Sequence, residues 1–323
     1  MGAEMSDQTR LLISIVTHNS GDAIEECLSD FHYLAAMEGV SAELIVADNA
    51  STDGTNGIVS RFIEDHPELP YKLAPSSTNR GWGGGNNLAI SSASRPPDLV
   101  LLCNPDASID ELNLRALVKA LISGPPEVAI AVPFVDNETA RVLAASPEWS
   151  ALKYTVWDLA SNKYPYRKFQ RRYQKPKGTF VIKSGYASGA LALFKFEALE
   201  RAGFFDERIF LFHDDIDVSR TIQKQGGLIV GTSESTGRHR GGKGSKIVQP
   251  VDGEVTPAML AAESELVFVE KWHGDRAAVM LAHYRVHVFF RIQNLLRRAA
   301  RRPPVDAEPF RRRAREYLAS RHR

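Results

Sequence analysis

Short apolar runs alternate with longer amphipathic stretches along the first third of the chain. Residues 11–16 form an apolar run closed by Thr17, His18 and Asn19, and behind it Ile24, Cys27, Leu28, Phe31 and Leu34 recur at helical spacing. The rhythm continues with a strand over 44–47, stopped by the acceptor-rich Asp48-Asn49-Ala50-Ser51-Thr52-Asp53-Gly54, and a helix over 55–66. A strand near 71–74, a glycine loop leading into a helix that runs to about 94, and a strand over 99–103 follow. Strands alternating with helices predict an α/β fold whose mostly parallel sheet carries helices on both faces. Ligands of such sheets sit beyond the carboxyl ends of the strands. Those ends are followed here by Thr17 and Asn19, by Asp48, Asn49 and Asp53, and by Asn104, Pro105 and Asp106. Any one of these loops reads equally well as a plain turn, since Asn, Asp and Gly are turn residues; three in register are harder to read that way.

With 43% hydrophobic and 24% charged residues, the 323-residue chain has the composition of a soluble globular protein with a sizeable core. Its two cysteines, Cys27 and Cys103, lie far apart in sequence without metal-ligand spacing, which fits a reducing compartment and a cytoplasmic location. Residues 1–9 read as a disordered N-terminus without a signal core, and no run of about 18 apolar residues suggests a membrane span. The net charge of +1 hides an uneven distribution, because from Arg291 onward eleven arginines face only Asp306, Glu308 and Glu316. That tail carries +8 and the rest of the chain −7. Val286, Val288, Phe289, Phe290, Ile292, Leu295 and Leu296 interleave with it at roughly helical spacing. Residues 276–323 are therefore expected to be a basic helical tail, either peripheral on an anionic membrane or packed on the body.

Candidate chemistry concentrates in a few segments. Phe210-Leu211-Phe212-His213-Asp214-Asp215-Ile216-Asp217 places three carboxylates within four positions after an aromatic run. Like charges this close raise one another's pKa, which suits a bound cation or a proton acceptor; an acidic first turn of a helix expected over 218–225 is the plainer reading. Asn79-Arg80-Gly81-Trp82-Gly83-Gly84-Gly85-Asn86-Asn87 lets backbone N–H groups approach an anion or a flat ring, but lacks the third glycine of the dinucleotide fingerprint. Gly237-Arg238-His239-Arg240-Gly241-Gly242-Lys243-Gly244 matches a P-loop until Gly244 stands where Ser or Thr should hold magnesium. Dehydrogenase and P-loop NTPase readings are accordingly weak.

Taken together, Ser14-Ile15-Val16-Thr17-His18-Asn19, then Val46 through Thr55, Asn79-Arg80-Gly81 and Asn104-Pro105-Asp106 resemble a family 2 glycosyltransferase of GT-A fold. Ser188-Gly189-Ala190, Gly203-Phe204-Phe205-Asp206 and Asp214-Asp215-Ile216-Asp217 resemble its acceptor-side half, in particular the rhamnosyltransferase-like branch. The resemblance implies a Rossmann-like GT-A domain over 10–275, a mixed sheet flanked by helices, with a nucleotide-sugar-binding half over 10–135 and an acceptor or catalytic half over 180–250. It implies an inverting transfer from a nucleotide-diphospho-sugar, dTDP-rhamnose first among donors, to a glycan or polyprenyl-diphosphate-linked acceptor in bacterial surface polysaccharide synthesis. Thr17, Asn19, Asp48, Asp53, Asn79, Arg80, Gly81, Asn104 and Asp106 would bind the nucleotide sugar, with Asp48 on the base. Asp106 and His239 would hold a divalent metal, Mg²⁺ or Mn²⁺, although Asn104-Pro105-Asp106 offers one carboxylate where the family often has two. Asp215 would be the general base and Asp214 its neighbour, with Ser188, Gly189 and Asp217 on the acceptor side; Asp217 alternatively caps its helix through Arg220 or the backbone.

Between 147 and 179 the strand and helix rhythm gives way to aromatic residues (Trp149, Tyr154, Trp157, Tyr164, Tyr166, Phe169, Tyr173) among lysines and arginines. This is expected to be a flexible acceptor-side insertion meeting a sugar through aromatic faces and a pyrophosphate through cations. Nucleic-acid binding uses the same composition but is not expected here. The absence of a Gln-x-x-Arg-Trp motif argues against a processive synthase. A non-catalytic glycan- or membrane-binding protein and a sugar nucleotidyltransferase remain the alternatives.

Overall fold

The computed structural model describes residues 8–136, 141–147, 164–173, 177–183, 185–240, 257–299, 301, 303–304 and 306–320. The expectations for residues 1–7, for Trp149, Tyr154 and Trp157 in the insertion, and for Gly241 to Gly244 fall outside them.

The core is a mixed sheet. Its strands are β1 (Thr9–Thr17), β2 (Val40–Asn49), β3 (Tyr71–Ser76), β4 (Leu99–Cys103), β5 (Ala107–Ser108), β6 (Val128–Asp136), β7 (Arg141–Leu143), β9 (Thr179–Val181), β11 (Leu191–Lys195) and β12 (Leu228–His239). The main path runs β3-β2-β1-β4-β11-β6-β12-β5, while β8 (Ala145–Pro147) and β10 (Gly185–Ala187) form a separate ribbon. β1 pairs in parallel with β2 and β4, so Thr17 stands beside Asp48 at one common edge. β11 runs antiparallel to both β4 and β6, which gives the mixed sheet implied by the family resemblance, although strand-helix alternation by itself reads as mostly parallel. β4 is buried at all five positions and β1 at seven of nine, as expected of strands covered on both faces.

Helices α1 (Gly21–Asp30), α2 (Thr55–Asp65), α3 (Gly81–Ser91) and α4 (Glu111–Ile122) cover the first half. The helix expected through Leu34 stops at Asp30 and gives way to a 3₁₀ turn over His32–Ala36. The glycine loop is not a loop: α3 begins at Gly81 and contains the whole run. The reason is close packing. A Cβ on Gly81, whose φ is +74°, would lie 2.0 Å from the Phe210 carbonyl oxygen, and one on Gly85 would lie 2.5 Å from Val16.

In the second half α5 (Tyr164–Arg172) belongs to the insertion, followed by α6 (Phe196–Ala202) and α7 (Asp214–Lys224). Of the aromatic residues expected here to meet a sugar, Phe169 and Tyr173 are buried and Tyr166 is exposed, and Gln170 bonds the backbone of Leu143 and Ala145. Arg167, Lys168, Arg171 and Arg172 stay exposed on the same helix. The C-terminal layer comprises α8 (Pro257–His273), α9 (Asp275–Tyr284), a π-helical turn over Arg285–Phe289, α10 (Phe290–Ala299) and α11 (Glu308–Ser320). Phe268, Val269 and Ala278 of this layer share one apolar cluster with Ile209 and with Ile216 of α7. No helix among the described residues is long and apolar enough to cross a membrane.

Candidate active site

The carboxyl ends of β1 and β2 form one hydrogen-bonded unit. Thr17 Oγ1 donates to Asp48 Oδ1 at 2.9 Å, and the Ser51 amide donates to Asp48 Oδ2 at 3.1 Å. Asn19, with φ of 55°, donates its amide to Ser51 Oγ and accepts from the Thr52 amide. Thr17, Asn19 and Asp48 are thus brought together. Asp53 turns the other way, accepting from the Thr55 amide and hydroxyl and the Gly21 amide, which ties the start of α2 to α1. Burial pushes its carboxyl up, but these hydrogen bonds win and hold it below the usual aspartate range.

The start of α3 links the donor edge to the aspartates. Asn79 Oδ1 accepts from the Gly81 amide, and the Trp82 amide donates to Phe210 O. These two amides therefore serve the protein's own packing rather than an anion. The Arg80 guanidinium makes two bonds to Glu207 at 2.8 and 2.9 Å, and Glu207 also accepts from Asn87. Trp82, which the sequence reading passed over, sits at the junction. Its indole donates to Asn104 Oδ1 at 3.3 Å, and a Cβ on Gly189 would fall 2.4 Å from its ring. A single large ring inside a run of glycines was the available signal.

Asp106 is buried at the turn between β4 and β5. The antiparallel register of β12 against β5 sets His239 opposite Ala107, and His239 Nε2 comes to 3.3 Å from Asp106 Oδ1. Two ligands on adjacent corners of an octahedron with bonds of about 2.1 Å lie about 3 Å apart, so this pair has the spacing of a chelating edge. A carboxylate and an imidazole suit a divalent metal such as Mn²⁺. No cluster of three or more His, Cys, Asp or Glu able to hold a metal exists among the described residues, so the remaining ligands would be diphosphate oxygens and water.

The three aspartates open α7, so the acidic-first-turn reading and the functional reading describe the same residues. The helix begins at Asp214, four residues before expectation, because Phe212 and His213 both adopt the left-handed conformation, with φ of 62° and 67°. This turn leaves the Phe212 ring largely exposed at the edge of the site. Asp215 Oδ2 accepts from the Gly189 amide at 3.3 Å and Oδ1 from the Ile216 amide at 2.8 Å. Desolvation by burial outweighs those bonds and lifts the Asp215 carboxyl to about 6. Asp214 is raised well above the usual range, first by burial and then by the Asp215 charge. Its Oδ1 accepts from the Asp215 amide, whereas its Oδ2 is buried with no hydrogen-bond partner among the described residues. Burial and the Asp215 charge thus both favour the neutral form of Asp214.

Asp217 was expected either on the acceptor side or as a structural cap of its helix. It is 2% exposed, and its oxygens accept from Lys271 Nζ and Trp272 Nε1, each at 2.7 Å. It ties α7 to α8 through residues more than fifty positions away, which sequence spacing does not reveal. Arg220, expected to pair with it, stacks on the Trp272 ring at 4.4 Å. Of the acceptor-side residues, Gly189 is brought to Asp215, and Ser188 precedes it with its amide bonded to Ala144 O.

A family model described as Glycosyl transferase family 2 matches residues 12–203. The chain is 26% identical over 230 residues to the N-acetylglucosaminyl-diphospho-decaprenol L-rhamnosyltransferase of Mycobacterium tuberculosis, spanning 68% of this chain and 72% of that protein. It is 24% identical over 225 residues to the O-antigen chain rhamnosyltransferase WbaN of Salmonella anatum, spanning 70% of this chain and 64% of that one. Among solved structures it is similar in fold to the mannosyltransferase PcManGT from Pyrobaculum calidifontis in complex with GDP-Man and Mn²⁺, with a TM-score of 0.51 at 19% identity over 99% of this chain and 88% of the other.

Proposed function

The chain belongs to glycosyl transferase family 2 and has the GT-A fold, and on that premise we propose that it transfers rhamnose from dTDP-rhamnose, with inversion, to a diphosphate-linked lipid acceptor in surface-polysaccharide synthesis. The observation that carries this reading is the chain of contacts from Asp215 through Gly189, Trp82 and Asn104 to the turn bearing Asp106. It couples a proton acceptor to a site suited to a diphosphate. The names of the two curated relatives support the sugar, and that of the mycobacterial relative supports the acceptor class.

In this mechanism Asp48, with Thr17 and Asn19 beside it, receives the base, a thymine or uracil imide N–H being a good donor to a carboxylate. Asp106 and His239 would hold the divalent metal, which supplies positive charge to neutralise the departing diphosphate. Asp215 accepts the proton of the acceptor hydroxyl as its oxygen attacks the anomeric carbon, and the nucleoside diphosphate leaves from the opposite face. A carboxyl lifted to about 6 is a stronger base than an ordinary aspartate yet still ionised at neutral pH. Burial and the neighbouring charge favour the neutral form of Asp214 behind it.

A thermal-shift screen of dTDP-, UDP- and GDP-sugars, with and without Mn²⁺, tests this. At a hundredfold excess over Kd a native-state ligand adds about 2.7 kcal/mol. The expected result is stabilisation by dTDP-rhamnose that weakens when Mn²⁺ is omitted. Stabilisation by GDP-sugars alone, or by no nucleotide sugar, would sink the proposal.

A further inference from the structure

The helix formed by α10 and the preceding π turn has two apolar sides and uses only one of them. Inward, Phe289 and Phe290 are buried, meeting edge to face at 4.9 Å, and Phe290 packs on Phe310 of α11 at 5.1 Å. Arg285 reinforces this side by stacking on Phe289 and pairing with Glu265. Outward, Val288, Ile292, Leu295 and Leu296 recur at the spacing of a helical stripe, and all four are exposed, Leu295 at 64% and Leu296 at 52%. Exposed arginines Arg291, Arg298 and Arg301 lie in the same stretch. A second apolar stripe left exposed among the described residues, bordered by cations, is the pattern of a helix lying in a lipid interface.

We propose that α10 and the π turn form a docking surface for an anionic bilayer, with the aliphatic stripe entering the headgroup boundary and the arginines meeting lipid phosphates. Charge selects this occupant: the chain from Arg291 onward carries +8, whereas a second copy would bring the same +8 against it. Lys271 and Trp272 of α8 hold Asp217 of α7, and Phe268, Val269 and Ala278 of α8 and α9 pack on Ile216. A bilayer held by the following helix would therefore grip the layer that buttresses the aspartates. The docking surface is independent of the donor and acceptor proposed above.

Sedimentation with vesicles tests it without any turnover. The 323-residue chain should pellet with phosphatidylcholine vesicles containing about 30% phosphatidylglycerol and release as salt rises from about 0.1 M toward 1 M. Leu295→Gln with Leu296→Gln should weaken binding at least tenfold while shifting the melting temperature by less than about 2 °C, since both side chains are more than half exposed. Removing Arg291, Arg298 or Arg301 by substitution with Gln should cost about fivefold each. Protein that stays in the supernatant, or that binds pure phosphatidylcholine equally well, overturns the proposal. So does a dimer that ignores vesicles and dissociates in the leucine double variant, which would assign the stripe to a second copy. Failure of either kind leaves the nucleotide-sugar thermal shift untouched.

Discussion

Replacing Asp215 with Asn should make the protein more stable and inactive. Burial lifts the Asp215 carboxyl from an ordinary value of 3.8 to about 6, so its charged form is disfavoured in the folded state by roughly 3 kcal/mol. The sign follows from the direction of the shift. Because the folded pKa lies above the unfolded one, the protein enjoys its full stability below about 4, loses it as pH rises through about 6, and carries the whole penalty at pH 8. Asparagine never ionises and avoids the penalty. It forfeits part of the pairing, because an amide can offer only one oxygen where the carboxylate accepts from both Gly189 and Ile216. Allowing about 1 kcal/mol for that loss leaves a net gain of about 2 kcal/mol, or about 3 °C in a chain of 323 residues.

Thermal denaturation of wild type and Asp215→Asn at pH 8, 6 and 5, together with the pH dependence of sugar transfer, checks both halves. The stability gap should be largest at pH 8 and shrink toward pH 4, while wild-type kcat/KM rises tenfold per pH unit below about 6 and then levels. A variant less stable than wild type at pH 8 would refute the reasoning, because the carboxylate would then be well solvated or well paired and not held in a charge-averse site.

Gly81→Ala forces a Cβ to within 2.0 Å of the Phe210 oxygen at a φ of +74°, so it should cost at least 3 kcal/mol in urea denaturation, whereas Gly54→Ala, with φ of +91° and open space around it, should cost about 1 kcal/mol. Lys271→Met leaves the buried Asp217 without its cation and should lower stability by about 3–5 kcal/mol by the same measurement. His239→Ala should raise the Mn²⁺ concentration needed for half-maximal transfer by more than tenfold while leaving the melting temperature of the metal-free protein within about 1 °C, as His239 is part-exposed and its carboxylate partner keeps its turn.

The first half of the fold was legible because buried parallel strands announce themselves as continuous apolar runs. β4 occupies the expected residues, and β1 and β2 extend by one to four residues at both ends. β11 reads just as apolar, so nothing in Leu191–Lys195 shows that it runs antiparallel between β4 and β6. Glycine was misread for a related reason: a run of small residues signals close approach or a loop, and only tertiary packing against Phe210, Phe205 and Val16 distinguishes them. Cys27 and Cys103, far apart in sequence, share a carbonyl, with sulfur atoms 3.3 and 3.4 Å from Ala107 O. Both are free thiols buried beneath the Asp106 turn. The encounter of Asp217 with Lys271 and Trp272 was equally hidden, since no local pattern pairs residues so distant.

The family match ends at residue 203, before Asp214, Asp215 and His239. The residues that would complete the chemistry therefore depend on how the rest of this chain is held against the matched part. Three contacts do that work. The β12–β5 register sets His239 on Asp106, the Phe210 carbonyl fits the space left by Gly81, and the Gly189 amide fixes Asp215. Trp82 touches the surroundings of the last two and bonds Asn104 beside the first. A smaller residue at position 82 would leave every proposed chemical group in place and still loosen the spacing between proton acceptor and diphosphate site. Catalysis by positioning is sensitive to displacements of about 1 Å, so this indole is the point at which the two halves of the site are most tightly made one.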